Sequence, residues 1–360
     1  DAELAEVSFM LRTSGSSGSA KWVALTRESV WSVVQSHSVE LNWRNPRVMS
    51  ILPWGHAFGL VIDLLLAIAA EGEIVRDPFG GRQTKELLSL AEKQQITHLS
   101  AVPLVLERLA TEEAGRRFLL HLHGGVVGGA PVSTPLANFL RQTKLRVGYG
   151  QTEASPGVTL GREGEWQGGF LGRAVGCEVR ISNQGELCYR GANRALGYVT
   201  EEGVQPFGAK QWHPSGDLVR EQGNGYVFAG RMDERIKLKN GNYISLYDWE
   251  QNLQKDFPEL GEVVLAWDYE KGWRLCYTGE CPEDFARIGS GQKMSKDLAD
   301  STQKWHWRFV GSVTDSQAQT VDLRWIPSEL LVKNKKGILL RPQTADHIEE
   351  WLRQPIAFNG

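Results

Sequence analysis

Residues 124–153 read Gly-Gly-Val-Val-Gly-Gly-Ala-Pro-Val-Ser-Thr-Pro-Leu-Ala-Asn-Phe-Leu-Arg-Gln-Thr-Lys-Leu-Arg-Val-Gly-Tyr-Gly-Gln-Thr-Glu. Residues 124–127 and 145–147 are short apolar runs bordered by glycine, and 135–142 has the proline start and apolar spacing of a helix. Strand, helix, strand is the unit of a parallel sheet, because strands that run the same way need a crossover between them. The alternation extends upstream. Residues 7–11, 22–25, 48–52 and 98–102 read as strands. Residues 58–70, 84–93 and 104–110 read as helices, as does a stretch capped by Thr26 and running to about His37. Downstream, the runs 178–181, 186–190, 218–220 and 226–229 are split by Gly, Asn and Pro, which predicts antiparallel strands in a small barrel or meander. Beyond residue 234, strands (263–267, 274–277) mix with helices (247–255, 345–352). The expected fold is α/β: a large domain, 1–233, with a mostly parallel sheet and a small β-barrel, then a small α+β domain, 234–360.

Composition narrows the function. The 360 residues carry 40 basic and 43 acidic side chains, a balance that argues against nucleic acid as a partner. The four cysteines (Cys177, Cys188, Cys276, Cys281) are too scattered for a disulfide scaffold or zinc ribbon, so a reduced, cytoplasmic setting is expected. The longest apolar stretch, 58–70, contains Asp63 and reads as a buried helix, so no membrane span is predicted. His121 and His123, two apart, could share one face of a strand, and read as ordinary residues before a metal pair. The chain opens on an acidic segment with neither a signal pattern nor Met, and reads as processed or incomplete.

Thr13-Ser14-Gly15-Ser16-Ser17-Gly18-Ser19-Ala20-Lys21 lies between two predicted strands. Glycines expose backbone N–H groups, hydroxyls add donors and lysine adds charge, so the loop can wrap a polyphosphate. It differs from the common P-loop pattern, and a flexible hairpin is the competing reading. Gly148-Tyr149-Gly150-Gln151-Thr152-Glu153 follows a strand, where open α/β sheets place ligands. Its ring can stack on a base and its carboxylate can hold Mg²⁺. Ser215-Gly216-Asp217 and Gly230-Arg231-Met232-Asp233-Glu234-Arg235-Ile236-Lys237 follow in order. A carboxylate can accept from both ribose hydroxyls, and an arginine can serve sugar or phosphate.

These four motifs, in this order, resemble the adenylate-forming enzymes: acyl- and aryl-CoA synthetases, peptide-synthetase adenylation domains and luciferase. Gly128-Gly129-Ala130-Pro131 resembles the family's glycine-rich substrate strand, and Leu52-Pro53-Trp54-Gly55-His56 its Pro-x-x-His segment. The resemblance covers the chain from about residue 9 onward. It implies that a carboxylate attacks the α-phosphate of ATP, giving acyl-adenylate and pyrophosphate, and that a thiol then displaces AMP. By the same match, Thr13, Ser14, Gly15, Ser16, Ser17, Gly18 and Lys21 hold the β- and γ-phosphates, and Tyr149 packs on adenine. Thr152 contacts phosphate, and Glu153 ligates Mg²⁺. Asp217 and Arg231 bind ribose. Gly128, Gly129, Ala130 and His56 border the acyl and adenine pockets, an ordinary core histidine being the other reading of His56. Asp233 is the hinge of the C-terminal lid. The implied partners are a small carboxylic acid, ATP and coenzyme A. A carrier protein is the alternative acceptor, and a non-catalytic nucleotide binder the alternative class. Succinylbenzoate, fatty and aryl acids all fit, because pocket residues come from scattered positions.

Three departures stand out. Only a dozen residues precede Thr13, where the family carries a longer segment with another sheet; that part of the fold is expected to be missing and a partner to cover the face it leaves. The C-terminal Gly-Lys-x-x-Arg motif reads Gly337-Ile338-Leu339-Leu340-Arg341, with isoleucine at the adenylation lysine. Loss of such a charge contact costs about 10²–10³ in rate, unless a loop shift brings in Lys336. Trp22 stands where glycine commonly follows the lysine.

Overall fold

A computed structural model of the chain describes residues 7–13, 21–208, 211–237, 243–268, 272–280 and 322–325, with 328, 331, 333, 339, 343–344 and 347–348. The chain forms two compact units, Asp1–Phe228 and Ala229–Gly360.

The strands of the first unit are β1 (Val7–Arg12), β2 (Trp22–Thr26), β3 (Arg47–Ser50), β4 (Glu73–Arg76), β5 (His98–Leu99), β6 (Val126–Val127), β7 (Arg146–Tyr149), β8 (Thr159–Leu160), β9 (Phe170–Ala174), β10 (Glu178–Ile181), β11 (Glu186–Arg190), β12 (Gly197–Thr200), β13 (Gly203–Pro206) and β14 (His213–Gln222), with β15 (Gly225–Arg231), whose last three residues begin the second unit. Its helices are α1 (Arg27–Leu41), α2 (Phe58–Leu65, continuing as Leu66–Ala69), α3 (Thr84–Lys93), α4 (Pro103–Thr111), α5 (Glu113–His121) and α6 (Thr134–Leu140).

One sheet is half parallel and half antiparallel. β3 lies between β4 and β5, all parallel, with Val48 opposite both Ile74 and His98. Parallel bridges His98–Gly124 and Ala101–Val127 carry the order to β6, which is parallel to β7. At β7 the sense reverses. Gly148 opposes Leu160 of the antiparallel β8, and the sheet continues through β9, β15, β14, β11 and β10. The antiparallel strands expected in a barrel or meander thus extend the main sheet, while β12 and β13 join β2 and β1 in a second, four-stranded sheet.

Helices cover both faces. Val126 and Val127, consecutive on β6, point opposite ways as the pleat requires. Val127 joins the core of α3 to α6 with Leu87, Leu106, Leu119 and Leu140. Val126 joins that of α1 and α2 with Val33, Val61 and Leu66. Thr26 caps α1 as read: its hydroxyl accepts from Ser29 N (3.0 Å) and Ser29 Oγ accepts from Thr26 N (3.2 Å). α1 runs on to Leu41, past the expected end, and closes on Asn42 in the left-handed region (φ 49°). Helix α2 is wound wide, Leu66 N–H reaching the Val61 carbonyl five residues back. No helix among the described residues is long and apolar enough to cross a membrane.

In the first unit β4, β8, β9, β12, β13 and α5 escape the sequence reading. β4 (Glu-Ile-Val-Arg) has only two apolar residues between charges. α5 buries only Gly115 and Leu119, too sparse for a helical period. α5 also corrects the histidine reading. His121 ends this helix, its Nδ1 within 2.7 Å of the Arg117 carbonyl, so His121 and His123 do not share a strand.

In the second unit, β16 (Arg235–Lys237) pairs with β17 (Tyr243–Ser245) ahead of α7 (Leu246–Asp256). β18 (Val263–Asp268) pairs antiparallel with β19 (Gly272–Tyr277), which pairs parallel with β20 (Asp322–Trp325). Most of the helix expected at 345–352 lies outside the described residues.

Candidate active site

The loops after β6 and β7 leave the C-terminal ends of two neighbouring parallel strands, where open α/β sheets bind ligands. Both need glycine. A methyl on Gly128 would stand 2.5 Å from the Gly148 carbonyl oxygen, and one on Gly150 would stand 1.4 Å from that of Pro156. The chain therefore folds tightly from Tyr149 into the turn Thr152–Ala154, which carries Thr152 and Glu153. Gly129 (φ 83°) and Ala130 follow β6.

Tyr149 and Asp217 meet directly. The Tyr149 hydroxyl donates to Asp217 Oδ2 at 2.7 Å. Asp217 is buried on β14, its backbone N–H donating to Ser215 Oγ (3.1 Å). Burial, then the Asp217 charge, hold the Tyr149 phenol well above its ordinary pKa, so it stays a neutral donor. The contact fixes the ring's orientation against the carboxylate.

Glu153 and Lys21 meet through a residue the sequence reading missed. Tyr198, on β12, donates its hydroxyl to Glu153 Oε1 at 3.1 Å. Lys21 Nζ stands 4.7 Å from the centre of the Tyr198 ring. Antiparallel pairing of β2 with β12, Val23 opposite Tyr198, brings them together. The only local sign of Tyr198 is a Gly-Tyr pair in a short strand. Thr13 and Lys21 close the base of the Ser/Gly loop: Thr13 N donates to the Lys21 carbonyl (2.8 Å) and Lys21 N to Thr13 Oγ1 (3.2 Å). Ser14, Gly15, Ser16, Ser17 and Gly18 lie outside the described residues, as do Gly337, Ile338 and Arg341.

His56 is exposed at the start of α2, its N–H donating to the Pro53 carbonyl (3.1 Å); it is not a core histidine. Phe58, two residues on, stands 3.6 Å from where a Gly128 methyl would be, so this segment borders the loop after β6. A network centred on the buried Ser50 and Asp63 holds it. Trp54 Nε1 (3.0 Å) and an Arg76 guanidinium nitrogen (2.9 Å) donate to Ser50 Oγ, which donates to Asp63 Oδ2 (2.6 Å). Asp63 is fully buried, and burial pushes its carboxyl up to about 7.

Arg231 and Asp233 belong to the second unit, where Arg231 Nε donates to Asp233 Oδ1 at 3.3 Å. The oxygen donors fit Mg²⁺. Among the described residues no three of His, Cys, Asp or Glu gather as a metal site. Among the described residues Glu153 supplies the carboxylate for it, beside Thr152. One carboxylate, with phosphate and water completing the shell, is how Mg²⁺ is usually held at nucleotide sites.

Comparison with known proteins agrees with this geometry. Residues 2–199 match the model of the family described as AMP-binding enzyme. A probable 4-coumarate–CoA ligase 1 of Dictyostelium discoideum is 26% identical over 80% of this chain and 55% of its own length. A 2-succinylbenzoate–CoA ligase of Staphylococcus aureus is 26% identical over 86% of this chain and 64% of its own. Among solved structures, o-succinylbenzoate coenzyme A synthetase from Bacillus subtilis, in complex with ATP and magnesium ion, superposes with a TM-score of 0.66 at 20% identity. That match covers 94% of this chain and 69% of the other. The chain spans about half the length of the first curated relatives it matches. The family match takes in more than half the chain, and the motif residues Lys21, Tyr149, Glu153 and Asp217 gather within one unit. On both grounds the chain belongs to the AMP-binding enzyme family.

Proposed function

We propose that this chain is an ATP-dependent acid–thiol ligase that activates a carboxylic acid as its acyl-adenylate and passes the acyl group to coenzyme A. The observation that carries the reading is the joining of Tyr149 to Asp217 and of Glu153, through Tyr198, to Lys21, all within the first unit. An aromatic face, a buried carboxylate, a metal-ready carboxylate and an ammonium are what base, ribose, cation and phosphate each require.

In this reading Tyr149 stacks on adenine, and Asp217, which its hydroxyl contacts, binds the ribose hydroxyls. Arg231 adds a second sugar contact. Gly128, Gly129 and Ala130 border the base and acyl pockets with His56 at the rim. Residues 13–18 and Lys21 take the β- and γ-phosphates, and Thr152 contacts phosphate. Glu153 holds Mg²⁺, which when bound neutralises phosphate charge. The acid's carboxylate attacks the α-phosphate and pyrophosphate leaves; the thiol then attacks the acyl carbon and AMP leaves. No protein nucleophile is needed, because alignment and charge neutralisation carry the chemistry. Asp233 serves as hinge between the half-reactions.

One observation favours a second reading, nucleotide binding without catalysis: Ile338 stands at the adenylation lysine. Acid-dependent ATP–pyrophosphate exchange separates the two, using fatty, aryl and succinylbenzoate acids with the chain and with Ile338→Lys. Exchange by the unaltered chain supports the ligase and names the acid class. Exchange only in Ile338→Lys supports the non-catalytic reading. Silence in both, with no binding of ATP, contradicts both.

A further inference from the structure

We propose that Tyr198 is a positioning residue that sets the metal-binding carboxylate and the phosphate-binding ammonium of this site together: its hydroxyl fixes Glu153, and its ring fixes Lys21. The inference rests on the adenylate reading and assigns a role to a residue outside the motifs that suggested that reading.

The contacts form a closed circuit. Tyr198 OH donates to Glu153 Oε1. The Tyr198 ring meets Phe207 edge to face (4.9 Å, 88°), and Phe207 meets the His213 ring at 4.5 Å. His213 lies 5.1 Å from the Tyr189 ring, and the Tyr189 hydroxyl accepts from Gln151 Nε2 at 3.0 Å. Gln151 is two residues from Glu153, so the path returns to its start. Backbone bonds brace it: Ala195 N donates to the Glu153 carbonyl (2.8 Å) and Phe207 N to that of Leu196 (2.8 Å). The Tyr198 ring is thereby held on several sides, and its hydroxyl has one direction in which to point.

This arrangement suits a cation site. A free glutamate loses rotamer freedom when it takes a metal, and a carboxylate already held by a hydroxyl loses less. A carboxylate has about four lone-pair positions, so one donor leaves room for Mg²⁺. Burial holds His213 down to about 4, so the circuit brings no additional positive charge near the cation. On the opposite side, the ring draws Lys21 to the end of the loop that Thr13 closes.

Two variants separate the roles. Tyr198→Phe keeps the ring and loses the hydroxyl; Tyr198→Leu loses both. ATP binding is measured by calorimetry without acid, once with Mg²⁺ and once with EDTA, alongside thermal melting. Tyr198→Phe is expected to bind ATP like the parent in EDTA and to lose about tenfold of the gain Mg²⁺ confers. Tyr198→Leu is expected to bind more weakly in both conditions. Parental binding by Tyr198→Phe in both, or an equal loss in both, overturns the hydroxyl's role. Parental binding by Tyr198→Leu in EDTA overturns the ring's. A parent chain that binds no ATP overturns the adenylate reading and this inference with it. A parent with Mg²⁺-dependent binding that Glu153→Gln abolishes and Tyr198→Phe leaves intact overturns this inference alone.

Discussion

The two halves of the main sheet serve the site differently. The parallel half, β4-β3-β5-β6-β7, contributes loops at strand ends, where glycine lets the backbone come close. The antiparallel half contributes Asp217 from within a strand, and the smaller sheet contributes Tyr198 in the same way. These residues lie within strands and hold in place the residues at and just beyond the end of β7, Asp217 for Tyr149 and Tyr198 for Glu153. Loops leave a site free to exchange ligands, while side chains on paired strands give it a fixed geometry.

The comparison can be broken at either half. Gly150→Ala attacks the parallel half where it has least room. The added methyl meets the Pro156 carbonyl carbon and oxygen, backbone atoms that cannot swing aside, so a loss of about 4 kcal/mol or more is expected in urea unfolding. A loss within experimental error would show that the turn has slack.

Asp63→Asn sharpens the view of the network behind the loops. Asp63 titrates near 7 when folded, against 3.8 as a free side chain. The folded state therefore binds the extra proton between those values. Its stability from this group is full below the unfolded value and falls as pH rises through 7. Asp63→Asn removes the charge, so it should gain roughly 2–4 kcal/mol over the parent at pH 8 and little at pH 4. Melting curves at both values decide it; equal differences would contradict a protonated carboxyl at this position.

Asp217→Ala tests the antiparallel half. It leaves the buried Tyr149 hydroxyl without this acceptor, and should cost about 1–3 kcal/mol of stability and weaken ATP binding. Parental ATP affinity by calorimetry would remove Asp217 from the site. His56→Ala is expected to be the mildest. The side chain is exposed, so stability should change by less than about 0.5 kcal/mol, with any effect in the KM for the acid. A large drop in melting temperature would return His56 to a structural role.

What the sequence reveals follows the same division. The loops after β6 and β7 are legible because glycines mark them locally, and the helix at 84–93 because its apolar period is regular. Tyr198 is not legible, since nothing within β12 indicates that it pairs with β2 and so meets Lys21. Asp63 reads as a charge that argues against a membrane span. Its partners Ser50 and Arg76 become neighbours only through the parallel register of β3 on β4, which sets those two residues opposite each other. β4 and α5 escape because tertiary packing, and not a strong local pattern, makes them regular.

The central claim is that a nucleotide binds where the loops after β6 and β7 face Asp217, Tyr198 and Lys21. Photolabelling with 2-azido-ATP, competed with unmodified ATP and mapped by peptide mass spectrometry, tests it most directly. The account predicts competed label on residues 128–130 or 149–154. Competed label confined to other parts of the first unit, with none on these loops, would contradict it.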